Sequence, residues 1–102
     1  MSFYTLQLTP LIKTFRHKGL RRFFEDDDGS KLPPDMLERI RLILSTLHAA
    51  QIIEGMDVPT FRLHHLKGDM KGLFSVTVRA NWRIVFRFED ENAFDVDFID
   101  YH

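Results

Sequence analysis

The sequence predicts an α+β domain in which two N-terminal helices pack on one face of an antiparallel β-sheet meander. Three observations carry that expectation. Between residues 17 and 50 the apolar side chains recur every three or four positions, whereas from Phe61 onward they alternate one by one; the first period belongs to helices and the second to half-buried strands. Helices gathered in one part of a chain and strands in another form separate layers around a shared core. The chain has 102 residues, 44% of them hydrophobic and ten of them Phe. That is ample for one core and too little for two, so residues 1–102 read as a single domain.

Lys13 to Arg16 reads as a short strand and His17 to Glu25 as a first helix, with Leu20, Phe23 and Phe24 at i, i+3 and i+4. The run Asp26-Asp27-Asp28-Gly29-Ser30 stops that helix, because acids sit poorly at a helix C-terminus and glycine breaks the pattern. Pro33-Pro34 opens a second helix through about Ala50, since proline is tolerated in a first turn. Its apolar stripe is Met36, Leu37, Ile40, Ile43, Leu44 and Leu47, with Arg39 and Arg41 off the stripe. Gln51 to Pro59 is a connector with room for one helical turn. Three strands follow, centred on Phe74–Arg79, Trp82–Phe88 and Phe94–Ile99.

A one-residue slip in strand pairing would exchange the two faces of the sheet, so apolar residues are expected to oppose apolar ones. Pairing Ile84 with Phe98, Phe86 with Val96 and Val78 with Trp82 satisfies this. The even-numbered face is then core. The odd-numbered face carries Ser75, Thr77, Arg83, Arg87, Asp95, Asp97 and Tyr101. In this register Arg87 opposes Asp95 as an ion pair, and Arg83 opposes Ile99 with Tyr101 on its diagonal, about 7–8 Å away. A basic and an aromatic side chain together on a polar face mark a candidate site.

Composition removes several chemistries. The chain has no cysteine, which excludes disulfides and thiol catalysis and points to a reducing cytoplasm. No apolar run approaches the ~20 residues of a membrane span. Met1 to Ile12 has neither a basic start nor a small-residue cleavage site, and is not read as a signal peptide. Net charge is −1, yet all 14 Lys and Arg lie within residues 1–88 and six acids lie within residues 89–102. A basic body with an acidic last strand still presents local positive surface to phosphate. The five His are scattered, no glycine loop cradles a phosphate, and no Ser-His-Asp arrangement is apparent. The reading therefore expects no metal and no cofactor. His, Lys, Arg and Tyr remain, a set suited to cutting RNA through its own 2′-OH.

Four segments then resemble a known family: Phe15-Arg16-His17-Lys18-Gly19-Leu20, Arg62-Leu63-His64-His65-Leu66-Lys67-Gly68-Asp69, Asn81-Trp82-Arg83 and Asp95-Val96-Asp97-Phe98-Ile99-Asp100-Tyr101-His102. Together they resemble the HigB-type killer proteins of the RelE/ParE toxin superfamily, over about residues 12–102 and in order. The resemblance implies a ribosome-dependent endoribonuclease that cuts translated mRNA in the ribosomal A site. It also implies a HigA-type antitoxin partner with a helix-turn-helix DNA-binding domain. The alternative is a ParE-like DNA gyrase inhibitor with the same fold and no nuclease site. A third possibility is a disarmed member that only binds RNA or an antitoxin.

The site implied by the resemblance is His64, Lys67, Arg83, Tyr101 and His102, with Asp100 orienting an imidazole. Lys67 and Arg83 would neutralise the scissile phosphate, Arg83 as a bidentate fork. His64 and His102 would move the protons, in an order the chain leaves open. Tyr101 would stack on a base or bond the phosphate. Lys13, Arg16, Lys18, Arg21, Arg22, Lys71 and Arg79 are the expected contacts to RNA or the ribosome; the competing role for the N-terminal set is a solvated helix face. For Arg83 it is a cross-strand salt bridge. His17 and His48 are read as structural or solvent-facing, and Trp82 and the Phe ladder as core.

The sequence departs from the family in three places. His65 stands where the family usually has proline. Residues 1–11 look like an N-terminal extension. His64 and Lys67 are three apart, so they share a site only if the strand ends or bulges before Gly68.

Overall fold

The computed structural model describes residues 11–101. Residues 1–10 and His102 lie outside the described residues, and with them most of the expected N-terminal extension and one of the predicted catalytic side chains. Lys18–Asp26 forms α1 and Leu37–Ala49 forms α2, the latter entered through a 3-10 turn at Pro34–Met36. His17 caps α1: its Nδ1 accepts the Leu20 N–H at 3.1 Å, which satisfies one of the donors a helix start leaves without a partner. At the other end Asp27 adopts left-handed backbone, φ 57, and its N–H reaches the Phe23 carbonyl at 3.1 Å. Aspartate tolerates that conformation better than most residues. The acidic run therefore closes the helix, one residue later than predicted.

Leu20 and Phe23 from α1, Met36 from the 3-10 turn, and Ile40, Ile43, Leu44 and Leu47 from α2, are buried in one core. All seven lie on the predicted stripes, and each large side chain contributes about 1.5–3 kcal/mol on burial. After α2, two 3-10 turns replace the single expected turn, at Ile53–Met56 and Pro59–Phe61. They carry Met56 and Phe61 into the core.

The sheet contains β1 (His64–His65), β2 (Phe74–Arg79), β3 (Trp82–Glu89) and β4 (Asn92–Asp100), in that order and antiparallel throughout. β2 to β4 are the predicted meander. β1 is an added edge strand, too short to show an alternation. Ile12 and Phe15 make parallel bridges to Ala93 and Val96, so the Lys13–Arg16 segment runs alongside β4.

Ile84 opposes Phe98, and Arg83 opposes Ile99 on one side and Thr77 on the other. Two bulges alter the rest of the expected register. One lies between Thr77 and Arg79, so Trp82 opposes Arg79 and not Val78. The second lies between Val85 and Arg87; Arg87 opposes Phe94 and not Asp95, and the expected Phe86–Val96 pair is absent from the regular ladder. Asp95 sits in this bulge with φ 56. An inserted residue reverses the faces beyond it. Ala93 is consequently fully buried. Phe94, expected inside, lies on the polar face with the Arg87 guanidinium 4.4 Å from its ring centroid. Arg87 still reaches Asp95, at 3.6 Å, as well as Glu89 at 2.9 Å. No helix of the described residues is long and apolar enough to cross a membrane.

Candidate functional site

The strand carrying His64 ends at His65, which resolves the spacing conflict between His64 and Lys67. Leu66 is drawn back by its N–H to the Leu73 carbonyl, 2.8 Å, and is buried. Lys67 then leads into a 3-10 turn at Gly68–Met70. Gly68 has φ 69, a conformation glycine takes without steric cost. The turn returns Lys67 to the side occupied by His64. The two line one cleft of about 360 Å³ together with His65, Leu66, Ser75, Arg83 and Tyr101.

His64 is exposed, and its Nδ1 lies 2.8 Å from the carbonyl oxygen of Arg62. A carbonyl only accepts, so Nδ1 carries the hydrogen and the neutral ring keeps its lone pair on Nε2. Arg62 has left-handed backbone, φ 52, a strained conformation for a residue with a side chain. Such outliers persist where the surrounding structure holds them, often at functional sites. Across the ladder from His64 stands Ser75, the one buried polar residue among the described residues, 3% exposed. Ser75 was not selected from the sequence, where it looks like an ordinary polar alternate in a half-buried strand.

Arg83 donates from Nη1 to the Thr77 hydroxyl and lies over the Tyr101 ring, 5.7 Å from its centroid. Its Nε is buried without a hydrogen-bond partner. Among the described residues neither Arg83 nor Lys67 takes part in an ion pair, so the cross-strand salt bridge considered for Arg83 does not form. Arg87, by contrast, is neutralised: its hydrogen bond to Glu89, helped by the charges of Glu89 and Asp95, raises its pKa. Tyr101 is held by its N–H to the Asn81 carbonyl at 2.8 Å. The cleft thus joins two cations that lack acidic partners, an imidazole and a phenol. Unpaired cations around a pocket are the usual receptor for phosphate.

Four of the predicted catalytic residues meet in this cleft, and His102 lies outside the described residues. Asp100 is not part of the lining. It pairs with Trp82, and strand alternation sends it to the face opposite Arg83. His65 stacks on Phe74 with ring centroids 4.6 Å apart and planes inclined by 15°.

The predicted basic residues divide. Arg16, Lys18, Arg21 and Arg22 line one groove of about 750 Å³ with His17, Gly19, Lys31 and Asp97. Lys31 was missed because it is distant in sequence. It reaches the groove beside Gly19, where a Cβ would come within 2.9 Å of the Lys31 Cβ. Asp97 belongs to the cross-sheet row His64, Ser75, Val85, Asp97. Along that row three strand spacings, about 14 Å, separate His64 in the cleft from Asp97 in the groove. Lys71 lies near Lys67, around a second concavity they share with His65, Leu66 and Gly68. Arg79 is engaged by Asp35. Lys13 is exposed and lines neither the cleft nor the groove.

Two helices over a four-stranded antiparallel sheet, with a cationic cleft at the edge of that sheet, are the architecture of a RelE-like toxin. The toxin–antitoxin complex YoeB-YefM from Staphylococcus aureus contains a chain of the same fold, with a TM-score of 0.58 at 16% identity over 89% of this chain and 97% of that one. A heterotetrameric form of the complex matches with a TM-score of 0.55. The chain belongs to the family described as the RelE-like toxin of type II toxin-antitoxin system HigB, which matches residues 13–102. Endoribonuclease HigB from Proteus vulgaris is 41% identical over 92 residues, covering 90% of this chain and all of that protein. Toxin HigB-1 from Vibrio cholerae serotype O1 is 33% identical over 90 residues, 86% of this chain and 94% of that one. Residues 1–12 fall outside the family match, where the extension was expected.

Proposed function

We propose that this chain is the toxin of a type II toxin–antitoxin pair and an endoribonuclease that cuts mRNA in the ribosomal A site. The observation that carries this reading is the meeting of His64, Lys67, Arg83 and Tyr101 in one cleft, with both cations free of acidic partners among the described residues. The family and the name of the 41% identical relative support it. Because RNA brings its own nucleophile, the protein has to supply proton transfer and charge stabilisation, and no metal is required.

In this mechanism Nε2 of His64 takes the proton of the 2′-OH, and that oxygen attacks the adjacent phosphorus. Lys67 and Arg83 stabilise the added negative charge, Arg83 through donors directed at the phosphate oxygens. His102 protonates the departing 5′-oxygen. The products are a 2′,3′-cyclic phosphate and a 5′-hydroxyl. Tyr101, already beneath the Arg83 guanidinium, stacks on a base of the cut strand.

The groove of Arg16, Lys18, Arg21, Arg22 and Lys31 holds further phosphates of the ribosome-bound complex, which makes binding salt-dependent. The partner is a helix-turn-helix antitoxin of HigA type, and the site of action is cytoplasmic. Membership of a toxin–antitoxin family supports the partner, as does the fold shared with a toxin solved together with its antitoxin.

A translating extract tests the reading. Purified protein is added, mRNA ends are mapped with and without ribosomes, and gyrase supercoiling is assayed in parallel. Cuts that appear only with ribosomes and carry a 5′-hydroxyl support the proposal. Intact mRNA with inhibited gyrase would overturn it in favour of a ParE-like inhibitor.

A further inference from the structure

The cleft contains a conformational problem that the proposed chemistry leaves unsolved. Arg83 sits on a strand with a long side chain of several rotatable bonds, and among the described residues no carboxylate fixes its guanidinium. A flexible arginine would sample many rotamers and present its donors to a phosphate only part of the time. The structure holds it otherwise. Thr77 lies directly across the ladder from Arg83, and its hydroxyl accepts a hydrogen bond from Nη1. With that group anchored, the Tyr101 ring supports the guanidinium from one side, and Nε stays buried with no hydrogen-bond partner among the described residues. A buried donor left unsatisfied in a native structure calls for an explanation, and an incoming anion supplies one.

Thr77 is itself braced. Its carbonyl accepts from Nη2 of Arg39 at 3.2 Å. The same guanidinium donates to the carbonyl and hydroxyl of Thr60 and lies 5.1 Å from the Phe61 ring centroid. Arg39 therefore ties α2 both to the segment that leads into β1, which carries His64, and to the strand that carries Thr77. One side chain on the helix layer connects the two halves of the cleft.

We infer that Thr77 is a positioning residue for RNA cleavage: its hydroxyl sets the Arg83 guanidinium so that a buried, unsatisfied donor is ready for the scissile phosphate. This rests on the nuclease reading above and extends it to a residue that is not part of the cleft lining. Threonine fits the task because its hydroxyl is short and its χ1 is stiff in a strand, so the acceptor is held in place before substrate arrives. Lysine at position 83 would lack the planar fork that lets one nitrogen be anchored while another meets the phosphate.

The test compares Thr77→Val and Thr77→Ser with the wild-type chain on programmed ribosomes. Valine preserves shape and strand propensity while removing the hydroxyl; serine preserves the hydroxyl. Thr77→Val is expected to fold, to keep its ribosome affinity and apparent KM, and to lose about 10–100-fold in kcat, the usual cost of a misplaced catalytic group. Thr77→Ser should recover most of that loss. A second readout is independent of cleavage: the Nε–H resonance of Arg83 should be protected from solvent exchange in the wild type and in Thr77→Ser, and lose protection in Thr77→Val. Full activity in Thr77→Val overturns the inference and leaves the nuclease reading standing, as does a loss confined to KM or one that serine fails to recover. A wild-type chain that cuts nothing removes the nuclease reading and the catalytic purpose of Thr77 with it, even where the exchange data still couple Thr77 to Arg83.

Discussion

The Nδ1 atom of His64 lies 2.8 Å from the main-chain carbonyl of Arg62, and that single hydrogen bond chooses the tautomer of the ring. It leaves Nε2 as the basic nitrogen in the neutral form, the arrangement required of the group that deprotonates a 2′-OH.

His64→Ala is accordingly expected to lower kcat for mRNA cleavage by about 10²–10⁴-fold, the range typical of a lost general base. The side chain is exposed, so the melting temperature should stay near that of the wild type. Single-turnover cleavage on stalled ribosomes measures the effect, and a loss below about three-fold would exclude His64 as the base.

The groove yields a prediction about salt. Arg16→Gln combined with Arg21→Gln removes two of the cations that line it. Ribosome binding should weaken, and the slope of log affinity against log salt should become shallower by about one for each phosphate that is no longer neutralised. Cleavage at saturating protein should change little. An unchanged salt slope would make this groove a solvated helix face, as the sequence alone also allowed.

Arg39 should contribute stability as well as geometry. Its guanidinium bonds Thr60 and Thr77 from α2, and removing a charged donor from such hydrogen bonds costs about 1–3 kcal/mol. Arg39→Met, which retains an aliphatic stem, should shift the urea midpoint by a corresponding amount without changing the slope of the transition. A shift within error would show that water replaces these hydrogen bonds at no net cost.

His48 makes stability depend on pH. Desolvation by burial lowers its pKa below the ordinary imidazole value of 6.5, and its ring packs edge-on against Phe24, 5.1 Å between centroids. The unfolded chain therefore binds a proton more readily than the folded one. This contribution to stability is intact above the unfolded value and is lost as pH falls through and below it, down to the folded value. His48→Leu should lose less stability than the wild type between about pH 7.5 and pH 5, read as the difference between their melting temperatures. Parallel curves would show that His48 does not titrate across the unfolding transition.

Much of the fold was legible because its signals are local. The stripe Met36, Ile40, Ile43, Leu44, Leu47 declares one face of a helix, and all five are buried. Val76, Ile84 and Phe98 declare one face of a sheet for the same reason: side-chain direction repeats with the backbone period. The resemblance of four short segments went further and picked out residues as far apart as His64 and Tyr101, which the cleft brings together.

What the sequence determined by itself was therefore the periodic part: the α+β class, the core faces and the segments whose residues line the cleft. Tertiary structure alone decided where that periodicity breaks. Asp95 keeps the alternation in the sequence, yet its left-handed backbone and the bulge around it turn Phe94 outward and Ala93 inward. Nothing local marks the approach of Lys31 to Gly19 or the hydrogen bond from Arg83 to Thr77. These depend on interactions between residues distant in the chain, and on which backbone conformation the packed whole makes least costly.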